Sequence, residues 1–343
     1  MISGKPAGNG RLSLFLTLTS IWKRNGFGVN LQLMKVSDIL LQSKKAYPSL
    51  EIVPPLTGIS RKELLDSVRP FIEFSPKYIN ITCHRDEYEY VRNSDGSYSR
   101  RLVRKRISES AVCGAIQSEF KVDVVPHLIC GGATRDQIEF QLQDFRFMEI
   151  ENILALRGDC ITGEKRFTPQ EGGYRHANEL VEGIREFERQ RECSGFFSIG
   201  VGGYPEKHFE APNLEDDIAH LKAKVDAGAD YIITQMFFDN SVFYNFVSKC
   251  REAGIKVPII PGLKPLSTFR QIELLPQAFS IDIPQELTSE IRLHKDDKKA
   301  LYKIGERWCI NQCKDLLRNG VQAVHFYTMG KAENVVNILR ECF

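Results

Sequence analysis

The sequence predicts an α/β protein, a closed (β/α)8 barrel of the TIM-barrel type formed by a single domain. Eight short β-branched runs alternate with longer amphipathic segments, which indicates right-handed crossovers and a parallel sheet buried on both faces. Eight such units fit within a chain of 343 residues. A doubly wound open sheet is the second choice, because no Gly-x-Gly-x-x-Gly follows the first run.

The eight runs are the predicted strands. In chain order they are SLEIVPP (49–55), YINITCH (78–84), VDVVPHLICGG (122–132), NILALRGD (152–159), FFSIGVGGYPE (196–206), YIITQMFF (231–238), PIIPGLKP (258–265) and AVHFYTMG (323–330). The segments between them are typical of amphipathic helices, and those at 213–229 and 241–254 end on glycine-containing caps.

Two segments differ from this pattern. Residues 1–33 are interpreted as a dispensable extension, either disordered or translated from too early a start, with the barrel running from 34 to 343. The apolar stretch 12–22 is the length of a signal sequence, but Ser and Thr interrupt it and it is too short to span a bilayer. A membrane signal is therefore the less favoured reading. Residues 85–106 are expected to be a charged insertion after the second strand.

The composition of the chain limits the kinds of binding partner that we expect. The chain has 46 basic and 44 acidic residues, a balance that gives no reason to expect nucleic acid or a membrane as partner. Nine cysteines are dispersed without a Cys-x-x-Cys pair, which favours reduced thiols, a cytoplasmic location and no metal site.

Polar side chains occupy the ends of the predicted strands, and in such barrels the active site lies at the carboxyl ends of the strands. They are Glu51, Thr82 and His84, His127, Arg157 and Asp159, Tyr204 and Glu206, Gln235, Lys264, and Tyr327. Taken singly, a buried histidine such as His127 is more often a neutral core residue than a functional one, and Asp159 is as compatible with a charged turn as with a site. Glu51 lies among Leu50, Ile52 and Val53, an apolar frame expected to raise the pKa of its carboxyl and to suit a proton donor.

With these residues in place, the chain resembles methylenetetrahydrofolate reductase from about residue 45 to the end. Seven motifs carry the resemblance: LEIVPP, VPHLIC, ILALRGD, YPEKHFEAPN, KVDAGADYIITQMFFD, IIPGLKPLSTFRQ and HFYTMGKAE. The resemblance implies a flavoprotein that binds FAD, takes hydride from NADH or NADPH in a ping-pong reaction, and reduces 5,10-methylenetetrahydrofolate to 5-methyltetrahydrofolate. That product supplies methyl groups for methionine synthesis. The resemblance also implies a homo-oligomer.

The same resemblance assigns roles to residues. Glu51 matches the catalytic acid, and Asp159 matches a carboxylate beside both flavin and pterin. Positions expected to bind FAD are Thr82, His127, Arg157, Gly158, Asp159, His176, Ala177, Tyr204, His208, Ala211, Asp217 and Lys224. Positions expected to bind folate are Asp159, Gln235, Gln271 and Lys331.

Two other functions remain open from the sequence. One is a pterin-binding barrel that transfers a methyl group without flavin. The other is a non-catalytic flavin-binding subunit, which an intact set of Glu51, Asp159 and Gln235 disfavours. The choice between NADH and NADPH is also open.

Overall fold

The computed structural model describes residues 34–160, 167–328 and 332–343. The interpretation of residues 1–33 as an extension lies outside the described residues. The strands are β1 (Tyr47–Ile52), β2 (Tyr78–Ile81), β3 (Glu87–Arg92), β4 (Tyr98–Val103), β5 (Asp123–Ile129), β6 (Asn152–Leu156), β7 (Ser198–Gly203), β8 (Tyr231–Met236), β9 (Ile259–Leu263) and β10 (Ala323–Tyr327).

Eight of these strands form a closed parallel barrel in the order β1-β10-β9-β8-β7-β6-β5-β2. Seven of the eight fall within the predicted runs and β1 begins two residues before its run, so the predicted barrel is confirmed and the open sheet is excluded. Closure is made by β1, which pairs with both β10 and β2.

The helices described are α1 (Val36–Gln42), α2 (Arg61–Ile72), α3 (Glu109–Phe120), α4 (Arg135–Phe147), α5 (Ala177–Gln190), α6 (Leu214–Asp226), α7 (Asn240–Glu252), α8 (Gln271–Phe279), α9 (Gln285–Leu293), α10 (Lys298–Arg318) and α11 (Ala332–Cys342). Capping boxes at Ser60 and Thr134 fix the starts of α2 and α4. Just after α6 and α7, Gly228 and Gly254 adopt positive φ, as the sequence predicted. Within the described residues, no helix has the length and apolar character needed to cross a membrane.

Helix α1 closes the amino-terminal end of the barrel. Its buried Val36, Ile39 and Leu40 belong to one apolar cluster with Tyr47 and Tyr231 from the barrel strands. The amide of Val36 donates to Oδ1 of Asn152 at 2.7 Å, which fixes the helix to the start of β6. Since this end is filled by apolar side chains, the polar strand ends at the opposite rim are left to form a site.

The charged insertion 85–106 is an antiparallel hairpin of β3 and β4. Gly96, at φ +84°, allows the turn between the strands, and Lys105 pairs with Glu87 at 2.8 Å. The base of the hairpin is tied to the loop after β1, because the amide of Ile107 donates to the carbonyl of Pro55 at 3.0 Å. The hairpin therefore rises from the same rim as Glu51.

Candidate active site

Glu51 lies at the end of β1 and is only 8% exposed. Its Oε2 is 3.9 Å from Nε2 of His127 and 3.9 Å from Nε2 of His325. Both imidazole nitrogens are buried and lack a hydrogen-bond partner among the described residues. A carboxylate and two unsatisfied imidazoles thus face one another in a confined space, an arrangement that can hold and move a proton.

The expected raised pKa of Glu51 is wrong. Burial by itself raises that pKa, but hydrogen bonding by His325 and the electrostatic influence of His127, His325 and His84 lower it more, and the net pKa is below its ordinary value. Burial lowers the pKa of His127 to about 4, so that imidazole is neutral at pH 7. The apolar frame was read correctly, but histidines from other strands outweigh it.

His325 is a site residue that sequence reasoning missed. It lies directly opposite Ser49 in the β1–β10 pairing, and its Nδ1 is 3.0 Å from Oγ of Ser49. Nδ2 of Asn80 donates to the same hydroxyl at 3.1 Å. These contacts fix the ring and direct its other nitrogen towards Glu51. The available signal was the alternation in HFY, which puts His325 and Tyr327 on the same side of a strand.

Arg157, Gly158 and Asp159 leave β6 at the same rim. Gly158 has φ +86°, a conformation that favours glycine, and it turns the chain so that Asp159 is exposed. Arg157 forms an ion pair with Glu210, and its guanidinium lies 4.7 Å from the ring centre of Phe167. In the closed barrel β6 is separated from β1 by β5 and β2, and the charges of Glu51 and Asp159 both act on His84, which follows β2.

Thr82 is buried at the end of β2, and its hydroxyl lies 3.0 Å from Nε2 of His84. His84 as a whole is exposed. Its pKa is lowered, mainly because part of its environment is desolvated and then because of the charge of Arg106. Thr82 and His127 come from β2 and β5, which are paired neighbours. The structure therefore brings Glu51, Thr82, His127 and Asp159 to one sector of the rim.

A second sector is formed by the ends of β7 and the helix after it. Nζ of Lys224 donates to the carbonyl of Gly202 at 2.8 Å and lies 5.7 Å from the ring centre of Tyr204. The ring of His208 packs on the ring of Tyr204. The backbone amide of His208 donates to Oδ2 of Asp217 at 2.9 Å. These contacts link Lys224, Tyr204, His208 and Asp217, four of the predicted residues, into one group.

Lys224 is a partly buried cation with no ion pair among the described residues. Burial lowers the pKa of its ammonium group to about 8, and the charge of Asp217 offsets only part of that effect. A desolvated ammonium without a carboxylate partner at an open rim fits a ligand that carries phosphate groups.

The remaining predicted residues occupy varied surroundings. His176 is the exposed N-cap residue of α5 and makes no capping hydrogen bond, while Ala177 and Ala211 are buried. Oε1 of Gln235 accepts from the amide of Met236 at 2.9 Å. Oε1 of Gln271 accepts from the amide of Ser267 at 2.7 Å. In both glutamines the side-chain carbonyl oxygen therefore accepts a hydrogen bond from a backbone amide nearby in the chain. Lys331 lies outside the described residues.

The fold and this rim define a β/α-barrel of the kind that binds a cofactor over the ends of its strands. Comparison of the sequence identifies the group: the family model for methylenetetrahydrofolate reductase matches residues 35–342, and the chain belongs to that family.

Relatives in other organisms agree with this assignment. The chain is 31% identical over 314 residues to methylenetetrahydrofolate reductase (NADH) 1 of Arabidopsis thaliana, a match that covers 89% of this chain and 49% of the plant protein. It is 32% identical over 287 residues to 5,10-methylenetetrahydrofolate reductase of Pectobacterium carotovorum, covering 83% and 86% of the two chains. The chain thus spans about half the length of the plant relative but most of the bacterial one.

Among solved structures, the chain is similar to an uncharacterized protein from Clostridium thermocellum that binds two copies of 5-methyl-5,6,7,8-tetrahydrofolic acid. The TM-score is 0.54 at 14% sequence identity, with 90% of this chain and 98% of the other covered. At that identity the likeness supports the barrel fold alone.

Proposed function

We propose that the protein reduces 5,10-methylenetetrahydrofolate to 5-methyltetrahydrofolate, using bound FAD and taking hydride from NADH or NADPH in a ping-pong reaction. The main support is the buried Glu51, held between His127 and His325 at a rim that also carries Asp159, in a chain of this family. Relatives are named as NADH and as NADPH enzymes, so both donors remain candidates.

FAD would be held by two sectors of the rim. Lys224, His208 and Tyr204 would take its phosphates and nearby groups, and Thr82, His127 and Asp159 would surround the ring system. When bound, FAD supplies the hydride chemistry, which amino-acid side chains cannot.

The folate substrate requires a proton before its methylene group can accept hydride. The carbon is held between two nitrogens in a five-membered ring, and opening that ring breaks one carbon–nitrogen bond. The electron pair of the broken bond goes to the departing nitrogen, which must be protonated. We assign that proton to the carboxyl group of Glu51.

For this role Glu51 has to carry a proton, although its pKa is low within the protein alone. A pterin that covers the carboxylate removes its contact with water, which disfavours the charged form. Substrate binding is therefore expected to raise the pKa of Glu51. Opening the ring leaves a positive iminium group on the substrate, and the Asp159 carboxylate would stabilise it by charge.

The biological setting follows from the same proposal. The product would supply methyl groups for methionine synthesis. All nine cysteines are free thiols, which supports a cytoplasmic location. A homo-oligomer, with no nucleic acid or membrane as partner, remains part of the proposal.

Absorbance of the purified protein under anaerobic conditions would test the function. The proposal expects a flavin spectrum that bleaches with NADH or NADPH and returns when methylenetetrahydrofolate is added. A colourless protein that transfers a methyl group would favour the pterin methyltransferase. A bleached flavin that folate does not reoxidise would favour the non-catalytic subunit.

A further inference from the structure

Arg85 is the first residue of the insertion and precedes the hairpin strands. Its side chain lies at the barrel rim where flavin binding is proposed. Its Nη1 donates to the backbone carbonyl of Asp159 at 3.3 Å. None of the ion pairs between described residues includes Arg85, whereas Arg104 and Lys105 of the same insertion are paired with Asp86 and Glu87. The insertion therefore delivers an uncompensated guanidinium to the end of β6.

Gly132 makes room for this side chain. A Cβ on Gly132 would lie 2.9 Å from Nε of Arg85, closer than ordinary contact. Gly132 also has φ +80°, which disfavours other residues. Gly132 and Arg85 thus fit each other, with the guanidinium of Arg85 lying over the loop after β5.

The charge of Arg85 reaches the barrel end. Burial raises the pKa of the Cys130 thiol to about 11, and the charges of Arg157 and Arg85 act against that rise. Arg157 is neutralised by Glu210, whereas Arg85 pairs with no carboxylate in the described part of the chain. Its contact with Asp159 is to the backbone carbonyl, so Arg85 brings a positive charge to the residue that carries the exposed carboxylate.

We infer that Arg85 raises the reduction potential of the bound flavin by offsetting the negative charge of Asp159. This inference rests on the proposed function. Two-electron reduction of a flavin with uptake of one proton adds a negative charge to its ring system. A nearby carboxylate opposes that charge and a nearby guanidinium favours it. Arg85 would be a positioning and tuning residue that the insertion supplies, not a proton donor.

The test is the midpoint potential of FAD in the purified holoprotein, measured by equilibration with a reference dye. Arg85→Met keeps the length of the side chain and removes the charge, and Arg85→Lys keeps the charge. Arg92→Met is the control, because Arg92 is an exposed residue of the same hairpin on β3. FAD content and spectra of all variants should be recorded first.

The inference expects Arg85→Met to lower the potential by about 30 mV, a tenfold change in the equilibrium constant of a two-electron couple. Arg85→Lys and Arg92→Met should stay close to wild type. An unchanged potential in Arg85→Met, or equal shifts in Arg85→Met and Arg85→Lys, would overturn it. Loss of FAD from Arg85→Met but not from Arg85→Lys would also overturn it, since the charge would then hold the cofactor. A wild-type protein that binds no flavin would instead contradict the proposed function.

Discussion

Two carboxylates lie in the same sector of the rim, and their surroundings are opposite. Glu51 is 8% exposed and faces two buried imidazoles, whereas Asp159 is exposed and leaves β6 on a glycine turn. Buried charge is sensitive to every neighbour, while exposed charge is screened by water. A ligand that covers the rim can therefore switch the protonation of Glu51, whereas Asp159 remains in contact with water.

The largest expected effect comes from removing the acid. Glu51→Gln keeps the shape of the side chain but cannot release a proton, so methyltetrahydrofolate formation should fall by about 10²–10⁴-fold. Glu206→Gln is the matched control, because Glu206 is a rim carboxyl with a pKa raised to about 7, chiefly by burial. Steady-state assays of both variants check this, and equal losses would contradict a special role for Glu51.

Removing the partly buried ammonium should weaken cofactor binding. A charge-assisted hydrogen bond contributes roughly 1.5–3 kcal/mol, so Lys224→Met should weaken FAD binding at least about tenfold. FAD phosphates favour charged Lys224, whose own pKa is about 8, so wild-type affinity should fall as pH rises above that value and the variant should lose this dependence.

Lys222→Met provides the control for this effect, because Lys222 is on the same helix and pairs with Asp226. Dissociation constants for FAD, measured by fluorescence between pH 7 and about pH 9, would show whether Lys224 contributes to cofactor binding. A Lys224→Met affinity equal to that of the control removes Lys224 from the cofactor site.

The exposed carboxylate should matter less than the buried one. Asp159→Asn removes the charge that stabilises the iminium group, and solvent screening limits the loss to about tenfold, or about 1.4 kcal/mol, in folate reduction. Rapid mixing of reduced enzyme with methylenetetrahydrofolate measures that rate. A loss as large as that of Glu51→Gln would break the comparison between the two carboxylates.

A smaller effect is expected from changing Ser49, which contacts His325 and not Glu51 itself. Ser49→Ala removes the partner of Nδ1 in His325, and a neutral hydrogen bond contributes about 1 kcal/mol. Folate reduction should slow about fivefold, and the pH profile of kcat should shift because His325 helps to set the pKa of Glu51. An unshifted profile would reduce Ser49 to a packing role.

No effect is expected from starting the chain at Met34. The amide of Met34 donates to Oδ2 of Asp123 at 3.0 Å, and burial raises the pKa of that carboxyl to about 7. A new amino terminus at this position would offer Asp123 a positive charge. Flavin content and activity of the truncated chain should match wild type, and loss of either would show that residues 1–33 are needed.

The sequence was sufficient for the barrel because each barrel strand is a short, mostly apolar run between helical segments, and burial on both faces favours that pattern. It was not sufficient for the hairpin, although Asp95-Gly96 is a turn signal, because the flanking residues are charged and exposed. The segment 284–318 was likewise not resolved into α9 and α10.

Site residues were predictable where they end a strand, as Glu51, Thr82, His127 and Asp159 do. Their electrostatics were not, because the pKa of Glu51 depends on His325, which is far along the chain and adjacent only after the barrel closes through β1 and β10. The same holds for Arg85, whose contact with Asp159 joins residues 74 positions apart.

The most direct test of the account separates the two half-reactions of Glu51→Gln by anaerobic stopped-flow. Hydride donation by NAD(P)H needs no protein acid, so flavin bleaching should stay within about tenfold of wild type. Reoxidation of the reduced variant by methylenetetrahydrofolate should fall by about 10²–10⁴-fold. If both half-reactions slow equally, Glu51 positions the flavin and the proton for ring opening comes from another group.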